Sequence, residues 1–412
     1  MRRRPQRQRS AQARDSRADD HEVAHLYLLH GVLLLNYTGT CLPLEIPVQV
    51  VPPYVATVAR GGLSHAGALV RAHVPASGRV IVLTSPRVRG LWGKTLDASL
   101  RKDGLDASVL ELPDGEEHKN LAELAKLAEA MVAASADREA LLLAFGGGVI
   151  GDVGGFLASV YMRGVRLLQV PTTLLAMVDS SLGGKTGVNL AAGKNLVGTF
   201  YHPRAILADP DVLATLPERE FRSGLAEAIK YGIIGATDLF TFIEQEAAAL
   251  RACRPEPLEQ LIAACLQEKA RVVAADERES DLRRVLNFGH TLGHALESAT
   301  GYTRYLHGEA VAWGMIATTR IAIRIGRLSE AQGTRIVGAI LNVCAPLPAL
   351  VDDAGLLLRH AASDKKTRAG RLHFVLPVAI GRVEIACGID EAVIAAALQD
   401  AAAIAARAPV VR

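Results

Sequence analysis

The sequence predicts an N-terminal α/β domain built on a parallel sheet, followed by a mainly α-helical domain. Three observations carry that prediction. Between Leu44 and about Pro217, short β-rich runs alternate with helical stretches, the order that lays helices over the faces of a parallel sheet. Beyond Pro217 strand signals become rare and apolar residues recur at helical spacing. Half of the 412 residues are hydrophobic, enough to bury two cores and too many for a disordered chain.

Residues 1–40 stand apart. Lys plus Arg number 46 and Asp plus Glu 43, a net charge of +3, yet residues 1–20 alone hold seven Arg and three Asp. The rest of the chain is therefore near neutrality. A nucleic-acid binder carries its excess charge on the folded part, so that class is disfavoured. The apolar stretch Leu26–Leu35 is interrupted by His30 and Gly31, and no run approaches the roughly 20 apolar residues of a membrane span. Lacking a small-x-small cleavage site, the segment is read as a disordered extension, or as translation begun upstream of the true start, rather than as a secretion signal. Five cysteines (Cys41, Cys253, Cys265, Cys344, Cys387) form no CxxC pair. An odd, scattered set fits a reducing, cytoplasmic setting and leaves any metal to histidine and carboxylate.

Within 41–217, Val80–Thr84 is a compact buried strand, Lys94–Asp103 a helix, Ala107–Leu112 a strand and Leu121–Ser135 an amphipathic helix. Leu141–Phe145 is a strand that runs into glycines, and Arg166–Val170 a strand closed by Pro171. Within 218–412, helices are expected at Phe221–Gly232, Asp238–Ala249, Glu256–Asp276, His290–Thr300 and Glu309–Gly326. A hairpin of Arg371–Pro377 and Val383–Ala386 turns at Gly381. A cleft between the two domains is the expected ligand site.

Four motifs carry chemistry. AFGGGVIGDVGGF, Ala144–Phe156, places six glycines in ten residues from Gly146. After a buried strand, such glycines let backbone N–H groups and a helix N-terminus approach a pyrophosphate. That makes the sheet Rossmann-like, although the spacing is not GxGxxG. In QVPTTLLAMVDSSLGGKTGVNL, Gln169–Leu190, the residues Asp179, Ser180, Ser181 and Lys185 sit among Gly183, Gly184 and Gly187. GGKTG lacks the leading glycine of GxxxxGK[ST], so the stretch reads as a ligand-facing loop and not a nucleotide-hydrolysing one. NFGHTLGHALE, Asn287–Glu297, puts His290 and His294 four apart on one helix face, His307 follows in LHGE, and Glu227 lies in LAEAIKYG. Imidazoles and a carboxylate suit a catalytic divalent ion, and spacing alone selects His290 and His294 as the pair. Lastly, Lys269, Arg271, Arg283 and Arg284 precede the histidines, Lys230 follows Glu227, and Lys365-Lys366 precede the hairpin. Such cations lie either on a solvated helix face or around a multiply charged anion.

Taken together, GGGVIGDVGGF, VYMRGV, QVPTTLLAMVDSSLGGKTGVN, GKNLVGTFYHP, AEAIKYG, LNFGHTLGHALE and LHGEAVAWGM resemble the 3-dehydroquinate synthase family of sugar-phosphate cyclases, from about Val58 to Ile389. The resemblance implies the family's fold and its shikimate-pathway lyase reaction, which serves chorismate and aromatic amino acid synthesis. In that reaction 3-deoxy-D-arabino-heptulosonate 7-phosphate becomes 3-dehydroquinate and phosphate. It proceeds by transient NAD oxidation, phosphate elimination, reduction and intramolecular aldol closure. The resemblance further implies that Glu227, His290 and His307 hold zinc or cobalt, which replaces the spacing-based pair and leaves His294 beside the substrate. Lys185, Lys230, Lys269, Arg283 and Asn287 match catalytic substrate contacts, and Asn195 and Lys366 further substrate contacts. Arg163 matches an arginine that enters a neighbouring subunit, which implies a homodimer. Glu116, Lys119, Gly147, Gly148, Asp152, Thr172, Thr173, Asp179 and Lys194 match contacts to NAD. Where the family usually carries an Asp after the strand Val80–Thr84, this chain has Ser85-Pro86-Arg87; a ribose-binding carboxylate is missing there, and Arg87 is compatible with a 2′-phosphate. The first 40 residues have no family counterpart. Alternatives are an inosose- or valiolone-type cyclase, a metal-dependent polyol dehydrogenase that would release NADH, and a catalytically inert scaffold.

Overall fold

Apolar runs rich in Val, Ile and Leu build the sheet, and the computed structural model describes residues 27–29, 32–34, 43–351, 353–363 and 372–407. Two compact units result, Met1–Leu42 and Pro43–Arg412. In the first, β1 (Tyr27–Leu29) and β2 (Val32–Leu34) pair antiparallel. The remainder of 1–40 lies outside the described residues, as do Cys41, Lys365, Lys366 and Arg371.

The second unit carries, in chain order, β3 (Leu44–Val48), β4 (Tyr54–Val58), β5 (Val80–Thr84), β6 (Ala107–Glu111), β7 (Leu141–Gly146), β8 (Arg166–Pro171), β9 (Lys185–Leu190), β10 (Gly193–Phe200) and β11 (Ala205–Ala208). Seven of them form one sheet in the order β3-β4-β11-β8-β7-β5-β6. Every neighbouring pair is parallel except β3 with β4. β7 is buried at every position, as expected of a central parallel strand covered on both faces. Register pairs Thr84 with Phe145 and Gly146 with Pro171. The carboxyl ends of β5, β7 and β8 thus lie side by side, the place where open α/β sheets take ligands.

Helices α1 (Ala66–His73), α2 (Pro86–Lys102), α3 (Leu121–Ala133) and α4 (Gly148–Val160) accompany the sheet. α2 starts at Pro86, earlier than the expected Lys94. Ser85 caps it by accepting from the Val88 N–H at 3.4 Å, and Pro86 takes the first turn, where its missing N–H costs nothing. The expected glycine-framed loop is instead a π-helical turn, Ala176–Ser180, followed by the antiparallel hairpin β9–β10. Gly183 makes that turn possible. Its φ is +102°, and a Cβ there would lie 2.4 Å from Arg283 Nη2, so a side chain is excluded on both counts.

The remaining chain is helical: α5 (Glu218–Ile234), α6 (Thr237–Arg251), α7 (Pro255–Ala275), α8 (His290–Ala299), α9 (His307–Arg324), α10 (Glu330–Cys344), α11 (Ala354–Ser363) and α12 (Glu391–Arg407). The expected hairpin is present as β12 (His373–Ala379) and β13 (Arg382–Cys387), turning at Gly381 with φ +81°. α9 is the hub and packs against α5, α8, α10 and α12. α5 is buried almost throughout its last three turns, which is why its polar residues need partners inside the protein. Among the described residues no helix is long and apolar enough to cross a membrane.

Candidate active site

Glu227 lies in the middle of α5 and is wholly buried. His290 and His307 are the first residues of α8 and α9. Each presents its Nε2 at 3.5 Å from Glu227 Oε1, and ligand atoms of all three lie within 4.8 Å of one another. Local structure sets the imidazoles. His290 Nδ1 lies 3.0 Å from the carbonyl of Phe288, and His307 Nδ1 lies 3.2 Å from Glu297 Oε2. Both partners only accept, so both Nδ1 atoms carry a hydrogen and Nε2 is the nitrogen that each ring turns to Glu227. The helix starts are held by close backbone contact. Gly308 donates its N–H to Ser223 Oγ at 3.0 Å, and a Cβ on Gly308 would lie 1.9 Å from the Ser223 carbonyl oxygen.

The electrostatics ask for positive charge. Lys230 forms an ion pair with Glu227, yet neither Glu227 oxygen has a partner in hydrogen-bonding geometry. Burial alone would raise the Glu227 carboxyl, but Lys230 and His307 hold it below its usual range. Burial alone would lower His307, but Glu297 and Glu227 on either side raise it to about 10. A buried carboxylate without directional partners, facing two imidazoles whose other nitrogens are tied off, is a donor set that fits zinc or cobalt. His294, the spacing-based partner of His290, is outside this triad. Its ring lies 5.5 Å from that of His290 and 5.9 Å from that of His307, and its ligand atom groups with those of Glu297 and His307.

Around the triad runs a network of buried charge. Asp179, carried by the π-helical turn, accepts from Tyr231 Oη at 2.7 Å and from Lys269, and its Oδ2 lies 4.0 Å from Lys230 Nζ. Burial would raise Asp179, but Lys269 and Lys230 hold it far below the carboxylate range. Burial lowers Lys269 to about 8, although Asp179 opposes the shift. Arg283, 1% exposed, donates to the carbonyls of Gly183 (3.0 Å) and Glu277. Lys185 pairs with Glu279, which also accepts from Asn287 Nδ2 at 2.8 Å. The choice left open for the basic residues is therefore split: Lys269 and Arg283 turn inward, while Arg271 is exposed and pairs with Glu268.

On the sheet side, Lys119 pairs with Asp152, and Glu116 accepts from Asn189 Nδ2 at 2.8 Å. Asn189 Oδ1 in turn accepts from the Asn195 N–H at 2.8 Å. A Cβ on Gly147 would meet Thr173 Cγ2 at 3.0 Å, and one on Gly148 would meet Ser180 Oγ at 3.2 Å. Thr172, at the end of β8, donates its N–H to the Gly146 carbonyl at 2.9 Å. The glycine turn, Thr172–Thr173 and Asp179 are thus neighbours, and Asp179 links them to Lys230 and Glu227. Lys194 on β10 reaches Glu297 on α8 at 3.1 Å. Arg163 is exposed, at a turn where Met162 and Arg163 have φ +49° and +69°. Lys366 lies outside the described residues.

Sequence reasoning missed three residues of this site. Glu297 ends a quoted motif and sits seven residues after His290, on the same helix face, a legible signal. Tyr231 carries a signal of the same kind, inside AEAIKYG and one helical turn after Glu227, whereas Glu279 carries none, since a loop brings it in.

Comparison with known proteins is consistent with this arrangement. A model of the 3-dehydroquinate synthase N-terminal domain matches residues 109–223, and one of the C-terminal domain matches residues 224–367. A 3-dehydroquinate synthase of Koribacter versatilis (strain Ellin345) is 49% identical over 338 residues, 82% of this chain and 92% of that protein. One of Solibacter usitatus (strain Ellin6076) is 46% identical over 351 residues, 85% and 97%. Among solved structures, ValA, a 2-epi-5-epi-valiolone synthase from Streptomyces hygroscopicus subsp. jinggangensis 5008 with NAD+ and Zn2+ bound, matches with a TM-score of 0.79 at 31% identity, over 85% of this chain and 97% of that one. A 2-deoxy-scyllo-inosose synthase complexed with carbaglucose-6-phosphate, NAD+ and Co2+ gives 0.78 at 27%, over 87% and 100%. A glycerol dehydrogenase from Schizosaccharomyces pombe shares the fold, with a TM-score of 0.61 at 16% identity, over 88% and 91%. Matched by both domain models and by relatives of nearly half-identical sequence along most of its length, the chain belongs to the 3-dehydroquinate synthase family.

Proposed function

We propose that this chain converts 3-deoxy-D-arabino-heptulosonate 7-phosphate to 3-dehydroquinate and phosphate, as a phosphate-eliminating lyase using NAD+ and zinc or cobalt. The observation that carries the reading is the convergence of Glu227 Oε1, His290 Nε2 and His307 Nε2 on one point, next to the charge network that runs through Asp179 to the glycine turn. When bound, NAD+ supplies reversible hydride uptake and the divalent ion polarises a substrate oxygen. In this reading Glu227, His290 and His307 hold the ion. Glu116, Lys119, Gly147, Gly148, Asp152, Thr172, Thr173, Asp179 and Lys194 line the NAD+ site.

Lys185, Asn195, Lys269, Arg283, Asn287 and Lys366 hold the substrate's carboxylate and phosphate, with Lys230 and His294 beside the reacting carbons. Two anionic groups clamped at opposite ends fix the substrate's orientation, and orientation is a large part of the barrier reduction in an intramolecular closure. Burial of Lys269 and Arg283 strengthens that clamp, since their charges are poorly screened by water. The substrate's own phosphate is well placed to take the proton, so no separate strong base is required.

The domain division that goes with this reading is an extension at 1–40, an NAD-binding domain at 41–217 and a metal- and substrate-binding domain at 218–412. Support comes from the last sheet strand, β11, ending at Ala208 and the first long helix, α5, beginning at Glu218. A homodimer is supported by Arg163, held outward on its positive-φ turn beside exposed Val160 and Met162. A cytoplasmic setting is supported by the unpaired Cys253, Cys265, Cys344 and Cys387. The relatives' identity of 46–49%, against 27–31% for the valiolone and inosose enzymes, favours dehydroquinate among cyclase products. The test is to supply purified protein with heptulosonate phosphate, NAD+ and Zn2+ or Co2+. Equal release of phosphate and dehydroquinate without net NADH is expected. Absence of phosphate release, or steady NADH accumulation, overturns the reading.

A further inference from the structure

Glu297 has no role in the site proposed above, yet it is 4% exposed and meets two of that site's members. One oxygen accepts from His307 Nδ1 at 3.2 Å, and the other from Lys194 Nζ at 3.1 Å. The Lys194 ammonium also lies 4.3 Å above the Tyr302 ring, so it is gripped from two sides. A buried carboxylate in such company stays ionised.

The geometry has a direct consequence for His307. An imidazole on the first residue of a helix is free to rotate unless its second nitrogen is held. The nitrogen facing Glu227 is a ligand only while the other keeps its hydrogen. His290 achieves this with a backbone carbonyl, which no side-chain substitution removes. His307 relies on Glu297.

We propose that Glu297 is a positioning residue that orients His307 towards the divalent ion and, through Lys194, ties the β9–β10 hairpin to the ion site. This rests on the metal reading above. Glu297, His294 and His307 also bring three ligand atoms within 4.8 Å, which raises the alternative of a second ion. Two facts favour positioning: His307 is shared with the first group, and the Lys194 ammonium already occupies Glu297.

The test uses the full chain stripped of metal and titrated with Zn2+ against a chromophoric chelator. Co2+ titration follows the visible spectrum as a report of ligand geometry. Glu297→Ala should weaken ion affinity about 10–100-fold and shift the cobalt bands. Glu297→Gln keeps an acceptor oxygen without the charge and should recover part of both. Lys194→Met should weaken affinity in the same direction by a smaller factor. Wild-type affinity and an unshifted spectrum in both Glu297 variants overturn the proposal. So does wild-type protein that binds two ions per chain and loses one in Glu297→Ala. Should Glu297→Ala not fold, Glu297→Gln and Lys194→Met decide by the same two readouts. Wild-type protein that binds no ion, or His290→Ala that binds as tightly as wild type, overturns the metal reading itself and this inference with it.

Discussion

The sheet side and the helical side of the candidate site are built from different materials. On the sheet side, contiguous stretches of chain bring backbone: the Gly146–Gly148 turn after β7 and Thr172–Thr173 after β8, aligned by strand register. On the helical side, residues far apart in sequence bring charge: Glu227 and Lys230 from α5, Lys269 from α7, Arg283 from the 3-10 turn Leu282–Asn287, and His290 and His307 from two helix starts. Backbone amides keep their place because the ladder fixes them. Buried charges keep theirs only because each is paired. The two sides should therefore fail differently, the sheet side by steric obstruction with little loss of stability, the helical side by loss of both binding and stability.

The largest expected effect is at Glu227. Glu227→Ala removes one corner of the proposed triad and leaves Lys230, 1% exposed, with only Asp179 Oδ2 at 4.0 Å to balance its buried charge. The ion-free variant should lose about 3 kcal/mol to denaturant, retain no ion by elemental analysis, and fall about a thousandfold in kcat/KM. Unchanged stability would erase the contrast drawn here. On the sheet side, Gly147→Val forces a side chain against Thr173 Cγ2. It should weaken NAD+ binding about tenfold with ion content and unfolding midpoint close to wild type, as measured by calorimetry and chemical denaturation. The smallest effect concerns pH. Lys269, lowered to about 8, is charged below that pH and neutral above it. KM for the phosphorylated acid should rise several-fold, at most about tenfold, as pH climbs through 8, since one charged hydrogen bond is lost. Lys269→Arg, whose guanidinium stays charged, should flatten that rise.

Much of this was legible from the sequence, and the two sides differ there as well. Val80–Thr84 and Leu141–Phe145 announce themselves as buried strands because a parallel strand covered on both faces is apolar at every position. The glycine turn is legible because it is contiguous. The start of α2 was hidden because PRVRGLWGK carries two glycines and no clean apolar period, and only the Ser85 cap and Pro86 mark it. The β9–β10 hairpin was hidden for the opposite reason, its glycines reading as a loop when they permit close strand approach. On the helical side, spacing pointed to His290 and His294, and the fold instead brings His307 to Glu227. Helix-face arithmetic sees i and i+4 neighbours within one helix, and it is blind to a second helix that begins beside the first. The resemblance to known synthases named the three residues that the fold brings together; residue spacing had no means to.

The contact between Gly308 and Ser223 reaches further than packing. Ser223 is one helical turn before Glu227, and Gly308 follows His307 directly. The backbones that carry the carboxylate and the imidazole are thus held together by main chain resting on main chain, and only side-chain rotamers remain to adjust the span. Any side chain at position 308 would have to lift α9 off α5 and carry His307 away from Glu227, so a single missing methyl group keeps the two halves of the triad in register.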